Sequence, residues 1–169
     1  MAQSNTDIIY VGTYSLRGSE GIYVFRFDRK TGTMQPLQAV QNDKSPSFLA
    51  LHPSGRFLYS VNEGAEKHGG VSAYAVDQAT GKLTYLNSQP SLGGGPCHIS
   101  LHPTGQLAFV SNYGGGNLTV LPIESDGKLA PHPTRLSTRV AVQIPNDRIK
   151  PMLTQPHLHP VVGPCTWLT

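Results

Sequence analysis

Helix formers are scarce in this chain of 169 residues, and no window repeats its apolar residues with a period of 3.6. Only 14% of the residues are charged, against 18 Gly and 14 Pro. Such a chain is poor in the Glu, Lys and Ala that fill helices and rich in turn formers. Cysteine is nearly absent: Cys97 and Cys165 cannot build a disulfide framework, and they fit a reducing compartment. No apolar run approaches the ~18 residues of a membrane span. The start, MAQSNTDIIYVGTY, has neither a basic flank nor a long apolar run before a cleavage site, so no secretory signal is expected. These absences predict a soluble cytoplasmic protein with no membrane partner. The length suffices for one domain with a core of its own.

Charge of one sign is also missing where it would matter. The net charge is +3, but residues 1–134 carry nine Lys/Arg and nine Asp/Glu, which cancel. The excess lies in residues 135–169, with Arg135, Arg139, Arg148 and Lys150 against Asp147. No basic patch with interleaved aromatics occurs in the body, so nucleic acid is not an expected partner.

What is present is a repeated phrase. LHPSGRFLYSVNEG (51–64) returns as LHPTGQLAFVSNYG (101–114). YVGTY (10–14), YSVNEG (59–64) and FVSNYG (109–114) lie 49 and 50 residues apart. Each is followed by an alternating run: GIYVFRFDRKTG, GVSAYAVDQATG and NLTVLPIESDG. A third segment opens with Leu or Met, and PSFLALHPSG or CHISLHPTG then begins the next copy. The alternation of Tyr23 to Asp28 is that of a half-buried strand, and His-Pro-Ser-Gly and His-Pro-Thr-Gly are Pro-first turns closed by Gly. Four short strands per unit of ~50 residues is the signature of β-propeller blades. The alternative is an ordinary β-sandwich with chance similarity, which matches at three offsets disfavour. WD40 blades are disfavoured by the lack of any Trp-Asp pair, and kelch blades by the lack of a Trp after the glycine clusters. The prediction is all-β: a partial propeller of about two and a half to three blades over residues 8–134, whose first innermost strand comes from elsewhere in a closed ring.

GGGPCHISLHPTGQLAFVSNYGGGNLTVLPI (93–123) resembles a blade of the bacterial lactonase propellers, seven-bladed 6-phosphogluconolactonases related to carboxymuconate-lactonising enzymes. IYVGTY (9–14), GIYVFRFDRKTG and PSFLALHPSGRFLYSVNE agree in order and spacing, over residues 8 to about 134. The resemblance implies hydrolysis of 6-phosphogluconolactone, a small-molecule sugar lactone, to 6-phosphogluconate in the pentose phosphate pathway. Two other functions stay open: a propeller that binds a ligand or partner without catalysis, and a muconate-type cycloisomerase. The resemblance also places the strongest catalytic candidates in a His-Ala-His motif opening the next blade and in Arg and Glu of later blades. No position of this sequence matches them, so no catalytic residue is assigned.

Lactone opening needs an activated water, hence a base such as His or a carboxylate, and donors for the developing oxyanion. It needs no metal or cofactor, and none is expected. His98, at the start of an inner strand, is either a pocket residue facing the channel or a turn anchor. Asn112 and Tyr113, with Asn62 and Glu63 one blade earlier, either line the channel mouth or cap turns. Gly93–Gly95 and Gly114–Gly116 either cradle a phosphate or serve turn geometry. His52 and His102 belong to the repeated turn and read as structural. His157 and His159 in PHLHP have no further ligand beside them.

Residues 135–169 read as a different, irregular text: alternation ends and five of residues 136–169 are Pro. We expect a reading of the fourth blade displaced by two bases. In that frame the codons for Lys150 to Gln155 can encode Ala-His-Ala-His-Ser. Those for Arg139 to Pro145 can encode Gly-Ser-Gly-Pro-Asp-Pro, and those for Cys165 to Thr169 can encode Tyr-Val-Ala-Asp. A truncated ring of this kind is expected to be marginally stable and to self-associate through open strand edges.

Overall fold

The computed structural model describes residues 5–64 and 69–131. The tail, with His157, His159 and the displaced-frame motifs, lies outside the described residues. The described residues form ten strands and contain no helix. In chain order they are β1 Thr6–Val11, β2 Gly21–Asp28, β3 Met34–Gln41, β4 Leu49–Leu51, β5 Phe57–Asn62, β6 Gly70–Val76, β7 Leu83–Pro90, β8 Pro96–Leu101, β9 Leu107–Asn112 and β10 Asn117–Pro122.

All pairings are antiparallel, and they form three separate sheets: β1-β2-β3, β4-β5-β6-β7 and β10-β9-β8. The middle sheet is a complete four-stranded blade. Among the described residues, the first lacks a partner on the β1 edge that β4 supplies to β5, and the third ends with the bridge Ile123 to Leu129. The repeat seen in the sequence extends to irregularities. Pairing of the third strand slips between Val24 and Phe25 in one blade and between Ala73 and Tyr74 in the next. These positions are 49 residues apart, so the first two blades are irregular at the same place.

Period-two alternation places the core between blades. Phe57, Tyr59 and Val61 on one face of β5 pack with Ile99, Val110 and Leu121 of the third blade. Leu58, on the opposite face, packs with Ile22, Val24 and Tyr74 towards the first. Hence every residue of β5 is buried, whereas β2 buries Ile22 and Val24 and leaves its other face half open.

Polar ties cross the same junctions and repeat with the blades. The Tyr10 hydroxyl donates to the Gly81 carbonyl at 2.8 Å, and the Tyr59 hydroxyl to the Gly127 carbonyl at 2.9 Å. Gln38 brackets the backbone of Leu83, donating at 2.9 Å and accepting at 2.7 Å. Asn87 does the same to Leu129 at 2.8 and 3.0 Å.

The repeated turn is built by its histidine. Nδ1 of His52 bonds with Ser54 Oγ and Nδ1 of His102 with Thr104 Oγ1, both at 2.8 Å. His52 also reaches across with Nε2, 3.1 Å from the Gly105 carbonyl. Gly105 has φ +76°, and a Cβ there would lie 2.1 Å from that nitrogen, so the contact requires glycine.

The hairpin turns are closed by acids. Asp77 accepts from the N–H of Thr80 at 2.8 Å and of Ala79 at 2.9 Å, as Asp28 does from Lys30 and Thr31. The two amide bonds hold Asp77 below the ordinary carboxylate range. A depressed folded pKa contributes stability above the unfolded value, about 3.9, and that contribution is lost as pH falls through the folded value. The stability gap between wild type and Asp77→Ala should therefore shrink steadily below pH ~4. Chemical denaturation at pH 7 and pH 3 checks this, and a gap that stays constant contradicts it.

Candidate channel-mouth site

The first two strands of each blade run antiparallel, so the entry to the innermost strand and the exit of the second share one end of the blade. The exits of β1, β5 and β9 bring residues 14, 63 and 113 to that end, and the entries to β4 and β8 bring residues 47–48 and 97–98. Because successive strand residues point to opposite sides, one residue of each exit turns inward and the next outward.

The inward residues are Asn62 and Asn112, both 2% exposed. Asn62 donates to Ser72 Oγ at 2.9 Å and accepts from Asn42 at 3.1 Å. Asn112 donates to the Ser91 carbonyl and to Thr119 Oγ1, each at 3.0 Å. These two side chains cap the blade from within, and neither opens onto the channel mouth. The glycine runs are likewise engaged with each other. The N–H of Tyr113 donates to the Gly95 carbonyl and that of Gly115 to the Gly94 carbonyl, both at 2.9 Å. A Cβ on Gly93 would come within 2.6 Å of Asn112, which is the close packing these glycines serve.

The outward residues differ. Tyr113 is 87% exposed and stands clear of the rest. Glu63 accepts a hydrogen bond from Ser47 Oγ at 2.5 Å. Tyr14 lies beside the same carboxylate, whose influence, with partial burial, raises its phenol above the ordinary tyrosine value. Cys97, whose thiol is free, bonds weakly to the Ser111 carbonyl at 3.7 Å. Beside it the exposed ring of His98 lies on Phe48, with centroids 4.5 Å apart and planes tilted by 51°. Two of the five expected residues, Glu63 and His98, thus belong to one connected patch.

The other members of the patch were readable from the repeat. Ser47 and Phe48 stand 50 residues before Cys97 and His98, and Tyr14 stands 49 before Glu63. The patch presents a carboxylate held by the Ser47 hydroxyl, a phenol beside it, an imidazole and an aromatic face. No three His, Cys, Asp or Glu side chains gather as a metal group among the described residues.

The signature of the seven-bladed β-propeller lactonases matches residues 8–162, running past residue 134, where the motifs quoted above end. The chain belongs to that lactonase family. The 6-phosphogluconolactonase of Bacillus subtilis strain 168 is 38% identical over 120 residues, covering 71% of this chain and 34% of the relative. That of Formosa agariphila is 35% identical over 123 residues, covering 72% and 35%. Among solved structures, the Pseudomonas aeruginosa periplasmic gluconolactonase superposes with a TM-score of 0.69 at 35% identity, covering 75% of this chain and 37% of that one. The chain therefore spans about a third of the length of these lactonase relatives.

Proposed function

We propose that this protein takes part in the hydrolysis of 6-phosphogluconolactone to 6-phosphogluconate, and that the described blades supply one wall of the lactone site. The observation that carries the reading is the patch of Tyr14, Ser47, Glu63, Phe48 and His98 at one end of the blades. It combines an aromatic face for the lactone ring with polar groups for its hydroxyls, as small-ligand sites do. His98 is the imidazole there that can take a proton from water. The names of the relatives and the family membership support the same substrate class.

The free thiol of Cys97 fits a reducing, cytoplasmic setting. Residues 8–134 make up the propeller portion on this reading, with 135–169 as a separate tail. The edge of β1, unpaired among the described residues, offers backbone groups to a further strand, from the rest of a ring or from a second copy.

The test follows the disappearance of freshly generated 6-phosphogluconolactone, corrected for spontaneous opening. Saturable acceleration that falls with His98→Ala is expected. A rate equal to that in buffer, together with no saturable binding of the non-hydrolysable glucono-1,5-lactam, overturns the proposal.

A further inference from the structure

We propose that Glu63, held by Ser47 beside Tyr14, is a specificity-determining residue that selects lactones bearing hydroxyl groups and rejects those bearing a carboxylate. This deepens the lactonase reading above and rests on it.

Three observations carry the assignment. The first is that Glu63 departs from the repeat. Residues 14, 63 and 113 occupy one blade position, and the other two are tyrosines. The capping work at this strand end is done by the preceding residue, Asn62 or Asn112, so the blade itself does not call for an acid.

The second is that the carboxylate is fixed and, among the described residues, has no ion-pair partner. Ser47 Oγ, on the loop entering β4, donates to Oε2 at 2.5 Å, and Tyr14, from the neighbouring blade, lies beside the same carboxylate. Among the described residues the ion pairs are Arg29 with Asp7 and Lys128 with Asp126, and Glu63 has no Lys or Arg partner. An ionised carboxylate offers about four acceptor positions, so the Ser47 donor leaves it able to receive more. A fixed negative charge attracts hydroxyl hydrogens and repels a second carboxylate.

The third is the aromatic surface beside it. Phe48 follows Ser47 directly, is 39% exposed and carries the His98 ring at 4.5 Å. An apolar face next to a fixed acceptor suits a polyhydroxylated ring, whose C–H face packs while its hydroxyls turn to the acid. A phosphorylated lactone then binds with its hydroxyl edge towards Glu63 and its phosphate on the far side of the ring.

The test is calorimetric binding of three probes to the full chain: glucono-1,5-lactam, δ-valerolactam (the same ring without hydroxyls) and muconolactone, a lactone carrying a carboxylate. Wild type is expected to prefer gluconolactam to both others. Glu63→Gln should weaken gluconolactam about tenfold, the worth of one hydrogen bond to a charged group, and strengthen muconolactone several-fold. Ser47→Ala, which keeps the charge but frees it, should weaken gluconolactam less and leave muconolactone excluded. Opposite shifts for the two ligands are not produced by a merely loosened fold. Equal changes for both ligands, or none, overturn the specificity role while leaving the lactonase reading intact. Absence of any lactam binding by wild type overturns both.

Discussion

Replacing Tyr59 by alanine is expected to unfold this protein under conditions where the wild type is stable. Tyr59 is fully buried at the junction of the second and third blades, within the cluster that includes Phe57, Val61, Ile99 and Val110. Removing a large aromatic side chain from such a site costs about 3–5 kcal/mol through lost burial and the cavity left behind. The Gly127 carbonyl would also lose its 2.9 Å donor. Against a typical domain stability of about 5–15 kcal/mol, that is a large fraction. Tyr59→Phe isolates the hydroxyl and should cost about 1–2 kcal/mol, since a buried acceptor is left unpaired. Tyr10→Phe should cost less, because its equivalent bond to Gly81 is only part-buried. Urea unfolding of the three variants gives the ranking. A Tyr59→Phe protein as stable as wild type would show that the tie contributes nothing.

The second large effect concerns the amide brackets. Gln38→Ala removes both the donor and the acceptor serving the Leu83 backbone and should cost about 2–3 kcal/mol. Asn87→Ala should cost about 1–2 kcal/mol. The carbonyl of Leu129 keeps a second donor, Gln89 Nε2 at 3.2 Å, and only its N–H is orphaned. The order of the two variants is thus fixed by a neighbour rather than by the deleted side chain. Equal losses, or a larger loss for Asn87→Ala, would contradict this assignment of the brackets.

Much of the fold was legible because its information is local and repeated. Alternation at Tyr23 to Asp28, the His-Pro-Ser-Gly and His-Pro-Thr-Gly turns, and the 49- to 50-residue offset define strands, turns and blades without any knowledge of contacts. The ties between blades were not legible in that way. Gln38 meets Leu83, and Tyr10 meets Gly81, across 45 and 71 residues. No strand pattern encodes such a partner, although the 49-residue recurrence of Gln38 as Asn87 marks the position.

The site was half legible for a related reason. Asn62 and Glu63 are adjacent and both polar, yet one turns into the blade and the other out of it. Composition cannot rank them, whereas the strand's alternation separates them once its pairing is fixed. Tyr14, Ser47 and Phe48 each look like an ordinary strand-end residue alone. Ser47 meets Glu63 within the second blade, whereas Tyr14 meets Glu63 and Phe48 meets His98 across blade junctions.

The central claim is that the end of the blades bearing Tyr14, Glu63 and His98 is where a sugar lactone binds. Amide chemical-shift mapping of the protein during titration with glucono-1,5-lactam tests it most directly. The account predicts saturable shifts centred on Tyr14, Ser47, Glu63 and His98, with the His52 and His102 turns at the opposite end unmoved. Shifts centred on those turns, or none at saturating lactam, would contradict it.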